Sequence, residues 1–288
     1  DNQTTKFLLE LVDGQQIECV LMRTTYGNSV CVSSQAGCAM GCKFCASTLL
    51  GLKRNLTVNE MFAQILVAQW ELRRNRFDKE HVHPNGDANN GDVSHIVVMG
   101  TGEPLQNTEN VIGFLERAND ELNISWRRIT VSTCGIVPGI EELKAWGRPI
   151  NLAISLHAPT DELRSLIMPI NNRYKLNEVL NAAFEFSDAQ NRQLMIEYIL
   201  LGRRNEKGEV ELYNCTNEYA EKLSALLQGH NVMVNLIPWN AVDERDFASI
   251  SGNAVHRFQD ILLKNNIHTR IRRERGADIG SACGQLRL

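Results

Sequence analysis

The sequence has no apolar run long enough to cross a membrane, no charged-then-apolar leader, and no repeat or low-complexity tract. A membrane-spanning helix needs about 20 predominantly apolar residues, so a membrane protein is excluded. Its eight cysteines are too few for a disulfide scaffold in a chain of 288 residues. Three of them fall within eight residues, at 38, 42 and 45. In the absence of a leader, this clustering is typical of metal or redox chemistry in a reducing compartment, and we expect a cytoplasmic protein.

Positive charge is also scarce. The formal net charge is −4, from 30 basic and 34 acidic residues, which argues against a simple nucleic-acid binder. The charge is uneven, however, because residues 264–288 contain six basic and two acidic residues. A basic terminal block on an acidic body can form a local phosphate-binding face, although arginine-rich strand ends are often only solvated.

Short β-type runs alternate with amphipathic helical runs along most of the chain, which predicts βα units and a parallel sheet. Two alternating stretches around Asp13 and Gly14 predict a β-hairpin. We predict an α/β fold, a partial (β/α)6 barrel with an N-terminal β-hairpin extension at 1–28 and a catalytic core at 29–288. The polar stretches 75–92 and 202–211 are interpreted as a surface insertion and a loop. A doubly wound open sheet would give the same periodicity, so both architectures stay open.

The most informative motif is C-x3-C-x2-C, formed by Cys38, Cys42 and Cys45 directly after a predicted strand. Gly37 and Gly41 disfavour a helix here, so the three thiols can fold back towards one centre. Structural zinc usually takes four protein ligands in paired motifs, and no such pair accompanies this loop. Three cysteines fit a [4Fe–4S] cluster better, with the fourth iron open to a small molecule. Zinc and simple burial of the thiols are the alternatives.

This loop resembles the signature of radical S-adenosylmethionine (SAM) enzymes, and further segments narrow the resemblance. These segments are CVSSQ (31–35), GLKRN (51–55), MGTGEP (99–104), STCG (132–135), SLHA (155–158), MPIN (168–171), NLIPWN (235–240) and ACGQL (282–286). Together they resemble the dual-specificity 23S rRNA and tRNA adenine-C2 methyltransferase family over nearly the whole chain. Members usually carry an N-terminal helical domain. Because no such domain is present and the first residue is not Met, we expect a catalytic-core fragment.

The resemblance implies two cofactors, a [4Fe–4S] cluster on the three cysteines and SAM. It assigns SAM contacts to residues at or beyond predicted strand ends, namely Gly102, Glu103, Ser132, Ser155, Leu156, His157 and Asn235. From the residues alone, a glycine-rich turn after a strand lets a ligand approach the backbone, and a nearby carboxylate can hold an ammonium group. The same Glu could equally be solvated, and His157 taken alone is more often a core histidine.

The resemblance also implies a covalent route that uses two SAM per turnover. Cys283 would carry the methyl group as S-methylcysteine, Cys31 would form a transient disulfide with Cys283, and Glu18 would accept a proton. By its own context Glu18 is interpreted as an exposed strand carboxylate. The implied partners are 23S rRNA and tRNA, an electron donor such as flavodoxin or ferredoxin, and a thiol reductant. The arginines of 270–275 would suit RNA phosphates.

Two alternatives to this function are kept. The first is the C8-methylating resistance branch of the superfamily, which shares the cysteines but has Ala where this chain has Pro104. The second is a non-catalytic iron–sulfur or zinc RNA-binding module, which would not need the SAM-pocket residues or Cys283. One departure from the family pattern touches the site, since Gly280 and Ser281 replace an acidic–alanine pair before Cys283.

Overall fold

The central feature of the fold is a nine-stranded, mostly parallel sheet covered by helices. The structure, a computed structural model, describes residues 3–74, 91–272 and 284–286. The strands are β1 Thr4–Glu10, β2 Gln16–Thr24, β3 Gly27–Cys31, β4 Gln35–Ala36, β5 Arg54–Asn55, β6 Val93–Val98, β7 Ile129–Thr133, β8 Asn151–Ser155, β9 Leu194–Leu200, β10 Gly202–Arg204, β11 Val210–Leu212, β12 Val232–Pro238 and β13 Thr269–Ile271. The helices are α1 Val58–Arg74, α2 Thr108–Leu122, α3 Val137–Trp146, α4 Asp161–Ile167, α5 Leu176–Gln190, α6 Asn217–Leu227 and α7 Gly252–Lys264.

The order of the parallel strands decides between the two architectures. The sheet runs β1-β2-β3-β6-β7-β8-β9-β12-β13, so the seven parallel strands lie in chain order from β3 to β13. A doubly wound sheet would reverse its direction of winding at a switch point, and this one does not. In the described part of the chain β1 and β13 are the two edges, so the barrel is open. The predicted partial (β/α)6 barrel is confirmed.

The predicted N-terminal hairpin is present and extends the same sheet. Strands β1 and β2 pair antiparallel from Thr4 opposite Met22 to Glu10 opposite Gln16. Gly14 sits in the connecting turn with φ 79°, a backbone conformation that costs glycine little. Strand β2 then pairs antiparallel with β3, and β3 pairs parallel with β6. The hairpin is therefore continuous with the barrel, and the division of the chain at residue 28 stays a prediction.

Two parts of the fold differ from the sequence expectations. Residues 202–211, interpreted as a loop, lie largely in a small hairpin in which β10 and β11 pair antiparallel. Helix α4 was not predicted, because its seven residues are too few to show a periodic apolar pattern. The Thr160 hydroxyl caps its N-terminus by accepting a hydrogen bond from the Leu163 N–H. Of the predicted insertion at 75–92, residues 75–90 lie outside the described residues. None of the described helices is long and apolar enough to cross a membrane.

A buried glutamine on α1 secures the end of β3, where the chain turns towards the cysteine loop. The Gln64 side chain accepts a hydrogen bond from the Ser33 N–H at 2.8 Å and donates one to the Ser33 carbonyl at 2.9 Å. Both residues are fully buried, so water cannot replace either bond. Gln64 therefore substitutes for a strand partner at a point where the ladder has ended.

We predict that Gln64→Leu lowers the free energy of unfolding by about 2–4 kcal/mol. The substitution leaves the buried Ser33 N–H and carbonyl without hydrogen-bond partners, and each such loss costs roughly 1–3 kcal/mol. Urea unfolding under anaerobic conditions measures the change. Gln228→Leu, at an exposed position, is the matched control and should change stability little. Equal stabilities of the two variants would contradict the role given to Gln64.

Candidate active site

One cavity opens at the carboxyl ends of the parallel strands, where the loops that follow them converge. In a (β/α) barrel this edge carries the functional residues. The strand ends contribute Val98 from β6, Ser132 from β7, Ser155 from β8, Ile199 from β9 and Ile237 from β12, and Glu197 lines the cavity from the middle of β9. Further residues of the wall come from the cysteine loop and other segments, including Cys38, Met40, Cys42, Phe44, Cys45, Gly102, Glu103, Cys134, His157, Met168, Arg272 and Gly284. The cavity is therefore the candidate active site.

The cysteine loop reaches the cavity because two glycines allow it to turn tightly. Gly37 has φ 77°, and a Cβ there would lie 1.9 Å from the Gly51 carbonyl oxygen, so only glycine fits. Gly41 has φ 70° between Cys38 and Cys42. As the sequence predicts, the loop is not an α-helix, and all three thiols line the same cavity.

The chemistry of the three thiols fits an iron–sulfur cluster. Burial raises the pKa of Cys38 to about 12 and raises that of Cys42 well above its ordinary value, with the neighbouring thiols adding to both shifts. Thiolates at these positions therefore need a cationic partner, which a metal centre supplies. Within the described residues, no three His, Cys, Asp or Glu side chains are gathered closely enough to hold one metal ion. The three thiols nevertheless share one cavity, and three thiolates are the ligands that a [4Fe–4S] cluster with one open iron requires.

The backbone of the cysteine loop is held by residues far away in the chain. The Trp239 indole N–H donates to the Phe44 carbonyl at 3.3 Å, and the Arg245 guanidinium donates to the Cys45 carbonyl at 2.6 Å and 3.1 Å. The Ala46 N–H donates to the Gly284 carbonyl at 2.8 Å. These bonds use carbonyls that a loop leaves unpaired, so the thiols are presented from a fixed frame.

The predicted Gly102–Glu103 element lines the same cavity. Gly102 has φ 112°, and a Cβ there would lie within 2.8 Å of Gln35 backbone, so the turn packs directly on the segment before the cysteine loop. The Glu103 carboxylate is 3% exposed and accepts hydrogen bonds from the Thr133 hydroxyl at 2.7 Å and the Cys134 N–H at 2.8 Å. Burial raises its pKa, and these bonds oppose the shift. Glu103 is thus a fixed, buried acceptor facing the cavity and not a solvated side chain.

His157 lies in the cavity wall in a strained conformation, with φ 60°. Its Nδ1 accepts a hydrogen bond from the Ile199 N–H at 3.0 Å, which places the proton of the neutral ring on Nε2. Burial lowers the pKa of His157 to about 3, so the ring is neutral at physiological pH. The edge of the ring meets Phe44 of the cysteine loop at 4.9 Å between ring centroids. His157 therefore couples the end of β8 to that loop.

Of the seven residues predicted to contact SAM, five line the cavity and two do not. Gly102, Glu103, Ser132, Ser155 and His157 are in its wall. Leu156 is fully buried, with its N–H bonded to the Glu197 carbonyl and its own carbonyl to Arg164. Asn235 donates to both oxygens of the Glu197 carboxylate, at 3.2 Å and 3.0 Å. In this structure Leu156 and Asn235 hydrogen-bond Glu197, which lines the cavity, and do not line the cavity themselves.

Sequence reasoning missed Glu197, a carboxylate in the cavity wall that is 3% exposed. Burial raises its pKa, and Arg272 at 3.9 Å opposes the shift. The available signal was a single charged residue within the apolar strand LMIEYIL of β9. Arg272, predicted as part of a phosphate-binding block, also lines the cavity.

Of the three residues predicted for covalent chemistry, Cys31 and Glu18 lie in the part of the chain that the structure describes, and Cys283 does not. Cys31 lies at the end of β3 opposite Val20 and Val97 and is not part of the cavity wall. The interpretation of Glu18 as an exposed carboxylate is wrong: it is 5% exposed on β2 and forms an ion pair with Lys6 at 2.9 Å. Both faces of β2 are covered, which alternation along a strand does not reveal. Cys283 lies outside the described residues, and no disulfide joins any two of the seven described cysteines.

Comparison with known proteins agrees with this geometry. The model of the radical SAM superfamily matches residues 85–215. The FeFe-hydrogenase maturase HydG from Carboxydothermus hydrogenoformans has a similar fold, with a TM-score of 0.53 and 17% identity over 85% of this chain and 53% of that one. The fold and the cavity thus define a radical SAM enzyme, whose cofactors are a [4Fe–4S] cluster and SAM.

Two further matches are closer. A probable dual-specificity RNA methyltransferase RlmN from Lachnoclostridium phytofermentans is 48% identical over 99% of this chain and 73% of its own length. The crystal structure of a radical SAM methyltransferase from Sphaerobacter thermophilus superposes with a TM-score of 0.88 and 40% identity, over 99% of this chain and 77% of that one. The chain belongs to the family of dual-specificity RNA methyltransferases.

We predict that Gly37→Ala lowers the iron content per chain and the melting temperature, because its Cβ would collide with the Gly51 carbonyl and displace the cysteine loop. Gly51→Ala is the matched control, since Gly51 has φ 67° and open space around it. Both variants pay a left-handed backbone cost of roughly 1–2 kcal/mol. Only Gly37→Ala should also lose iron, and equal iron contents would contradict the account of the loop.

Proposed function

We propose that this protein methylates C2 of adenosine in 23S rRNA and tRNA, through a methylated Cys283 and with two SAM per turnover. The observation that carries the proposal is that Cys38, Cys42 and Cys45 line the same cavity as Gly102 and Glu103. The names of the relatives supply the RNA substrate. The family resemblance supplies the carbon, the covalent intermediate and the number of SAM molecules.

In this proposal Cys38, Cys42 and Cys45 would hold the cluster, and SAM would bind beside it. When bound and reduced, the cluster would supply the single electron that cleaves a carbon–sulfur bond of SAM. Trp239 and Arg245 hydrogen-bond the backbone carbonyls of the cysteine loop and so hold the thiols in position. The buried, mostly apolar wall excludes water from a reactive intermediate.

Polar side chains of the cavity wall hold SAM. Glu103 is a buried carboxylate that can accept a further hydrogen bond, and its partner is the methionine ammonium group. Ser132 and Ser155 offer hydroxyls at neighbouring strand ends for the carboxylate and ribose. His157 acts as a neutral donor through Nε2, because its pKa of about 3 keeps the ring uncharged. Leu156 and Asn235 hold the β8 and β12 ends of the pocket in place.

Adenine C2 is an electron-poor ring carbon without a lone pair, so it does not attack the methyl group of SAM directly. A thiol does, and Cys283 is the proposed methyl carrier. The next residue in the chain, Gly284, lines the cavity and bonds to Ala46 beside the cysteine loop. Small residues on both sides of Cys283 permit the close approach that a reacting thiol needs.

Release of the methylated base is assigned to Cys31 and Glu18. Once the carbon carried by Cys283 is bonded to C2, the Cys31 thiolate would attack the sulfur of Cys283. An S–S bond forms and the carbon–sulfur bond breaks, and the carbon leaves with the electron pair and takes up a proton to become the methyl group of the product. A thiol reductant must then reopen the disulfide. Glu18 would accept the C2 proton. Its backbone carbonyl accepts a hydrogen bond from the Ser33 hydroxyl, which in turn accepts one from the Thr101 N–H of the Gly102 turn. This chain of bonds connects β2 to the cavity wall.

The RNA must present an unstacked adenine, since C2 is hidden in a paired helix. The exposed Arg270 lies on β13, and the half-buried Arg272, which lines the cavity, follows the end of that strand. Two guanidinium groups there suit phosphates next to the flipped base. An external electron donor, such as flavodoxin or ferredoxin, is also needed, and a cytoplasmic location stays a prediction.

Alanine substitution of Cys38, Cys42 or Cys45 should each abolish the cluster, because two thiolates do not hold a [4Fe–4S] cube firmly. Iron and sulfide analysis and the visible absorption of anaerobically purified protein measure this. Cys215→Ala is the matched control, since Cys215 is a buried cysteine that does not line the cavity. A variant of the three that kept wild-type iron would remove that cysteine from the ligand set.

Cys283→Ala should keep the cluster and lose methylation altogether, whereas Cys31→Ala should trap an RNA–protein crosslink. The first variant lacks the methyl carrier, and the second lacks the thiol that releases it. Denaturing gels with labelled RNA detect the crosslink, and iron analysis checks the cluster. Normal methylation by Cys283→Ala would refute the covalent route.

The position of the methyl group decides between the two branches of the superfamily. Mass spectrometry of nucleosides from rRNA and tRNA fragments, incubated with SAM and reductant, should give 2-methyladenosine. Pro104, which stands where the C8 branch has Ala, supports this outcome. Detection of 8-methyladenosine instead would assign the chain to the C8 branch.

A further inference from the structure

A fully buried arginine lies on helix α4, which is hydrogen-bonded to the cysteine loop. Arg164 lies on α4, and its side chain is 0% exposed. Helix α4 ends at Ile167, whose carbonyl accepts a hydrogen bond from the Lys43 N–H at 2.9 Å, directly beside Cys42. The guanidinium also donates to the carbonyl of Cys134 at 2.6 Å, and Cys134 lines the cavity together with Cys42. Arg164 is thus connected to the cavity wall from two sides.

All the hydrogen-bond acceptors of this guanidinium are neutral. Besides Cys134, they are the carbonyls of Leu156 at 3.1 Å and Ser155 at 3.4 Å and the Asn171 amide oxygen at 2.9 Å. None of the described residues places a carboxylate in direct contact with Arg164. Asp161 is reached only indirectly, through the Asn171 amide nitrogen. The positive charge is therefore buried without a contact ion pair.

An unpaired buried charge is costly, and proteins rarely retain one unless a nearby group of opposite sign compensates it. Desolvation lowers the pKa of Arg164, and the nearby thiols of Cys134 and Cys42, followed by the Asp161 carboxylate, oppose that shift. Cys134 and Cys42 both line the cavity, so a negatively charged group bound there would lie near the guanidinium. A cluster ligated by three thiolates is negatively charged there, and one-electron reduction makes it more negative.

We propose that Arg164 sets the reduction potential of the cluster, by stabilising the reduced state through its buried positive charge, in addition to holding the β7 and β8 carbonyls. The inference rests on the proposed ligand set of Cys38, Cys42 and Cys45. The electron comes from the external donor, and no bond forms or breaks at Arg164. Charge near a cluster is one of the terms that fix its potential, and a low local dielectric strengthens it.

The test is an anaerobic redox titration of the cluster-loaded protein, followed by electron paramagnetic resonance. Arg164→Met removes the charge and should shift the potential to more negative values. Arg164→Lys keeps the charge, loses most of the carbonyl contacts and should stay near the wild-type potential. Arg173→Met is the matched control: it makes the same change in net charge at an exposed arginine that packs on Tyr174. It should leave the potential unchanged.

A second variant tests the charge without deleting the arginine. Asn171→Asp combined with Asp161→Asn moves the carboxylate from Asp161 to the position that contacts the guanidinium, keeps an amide–carboxylate hydrogen bond between the two residues and leaves the net charge unchanged. It should also shift the potential to more negative values, and it decides the question if Arg164→Met does not fold. Iron and sulfide contents are measured first. Absence of a cluster from the wild-type protein would refute the proposed ligand set. Full cluster content with wild-type potentials in the folded charge variants would overturn the role of Arg164 alone.

Discussion

The parallel direction of the strands is the constraint on which the site depends. Because seven strands run parallel, their carboxyl ends share one edge, and each loop that leaves a strand starts at that edge. Side chains separated by up to about 246 residues in sequence, from Cys38 to Gly284, thereby line one cavity. The glycines at 37 and 102 then let the first two loops lie close to the neighbouring backbone.

Charge is the second organising principle of the cavity. Its wall contains four thiols and two buried carboxylates, and burial raises the pKa of Cys38, Cys42, Cys134, Glu103 and Glu197. Such a wall is poor at holding anions by itself and is suited to receive cations. A sulfonium, an ammonium group and iron ions are all cationic, and they match the cofactors of the superfamily. The buried Arg164 and the half-buried Arg272 offset part of the remaining negative charge.

Much of this could be predicted from the sequence, for identifiable reasons. The alternation of apolar strands such as β9 with amphipathic helices such as α2 and α5 was predicted, because the apolar patterns of these elements are long and regular. The order of the strands was not encoded in periodicity, and both α/β architectures stayed open until the topology was known. The cysteine loop was predicted because glycines and thiols at fixed spacing leave few other structures.

What could not be predicted depends on tertiary neighbours. Glu18 was read as exposed, since nothing in its local pattern shows that β2 is covered on both faces. Nothing in the local sequence distinguishes Glu197 and Arg164 from solvent-exposed charged residues. The tertiary structure shows that Glu197 lines the cavity and that Arg164 is a buried cation. Leu156 and Asn235 were predicted in the right region, but their contacts are with protein groups that no local pattern specifies.

The central claim is that three thiolates hold the cluster and leave one iron open to SAM. Electron–nuclear double resonance of the reduced cluster with SAM labelled at its amino nitrogen tests this directly. The account predicts a ¹⁵N coupling with ¹⁵N-labelled SAM, which a ¹⁴N coupling replaces when the SAM is unlabelled. A cluster with a fourth protein ligand and no coupling to SAM, or a single zinc ion in its place, would contradict it.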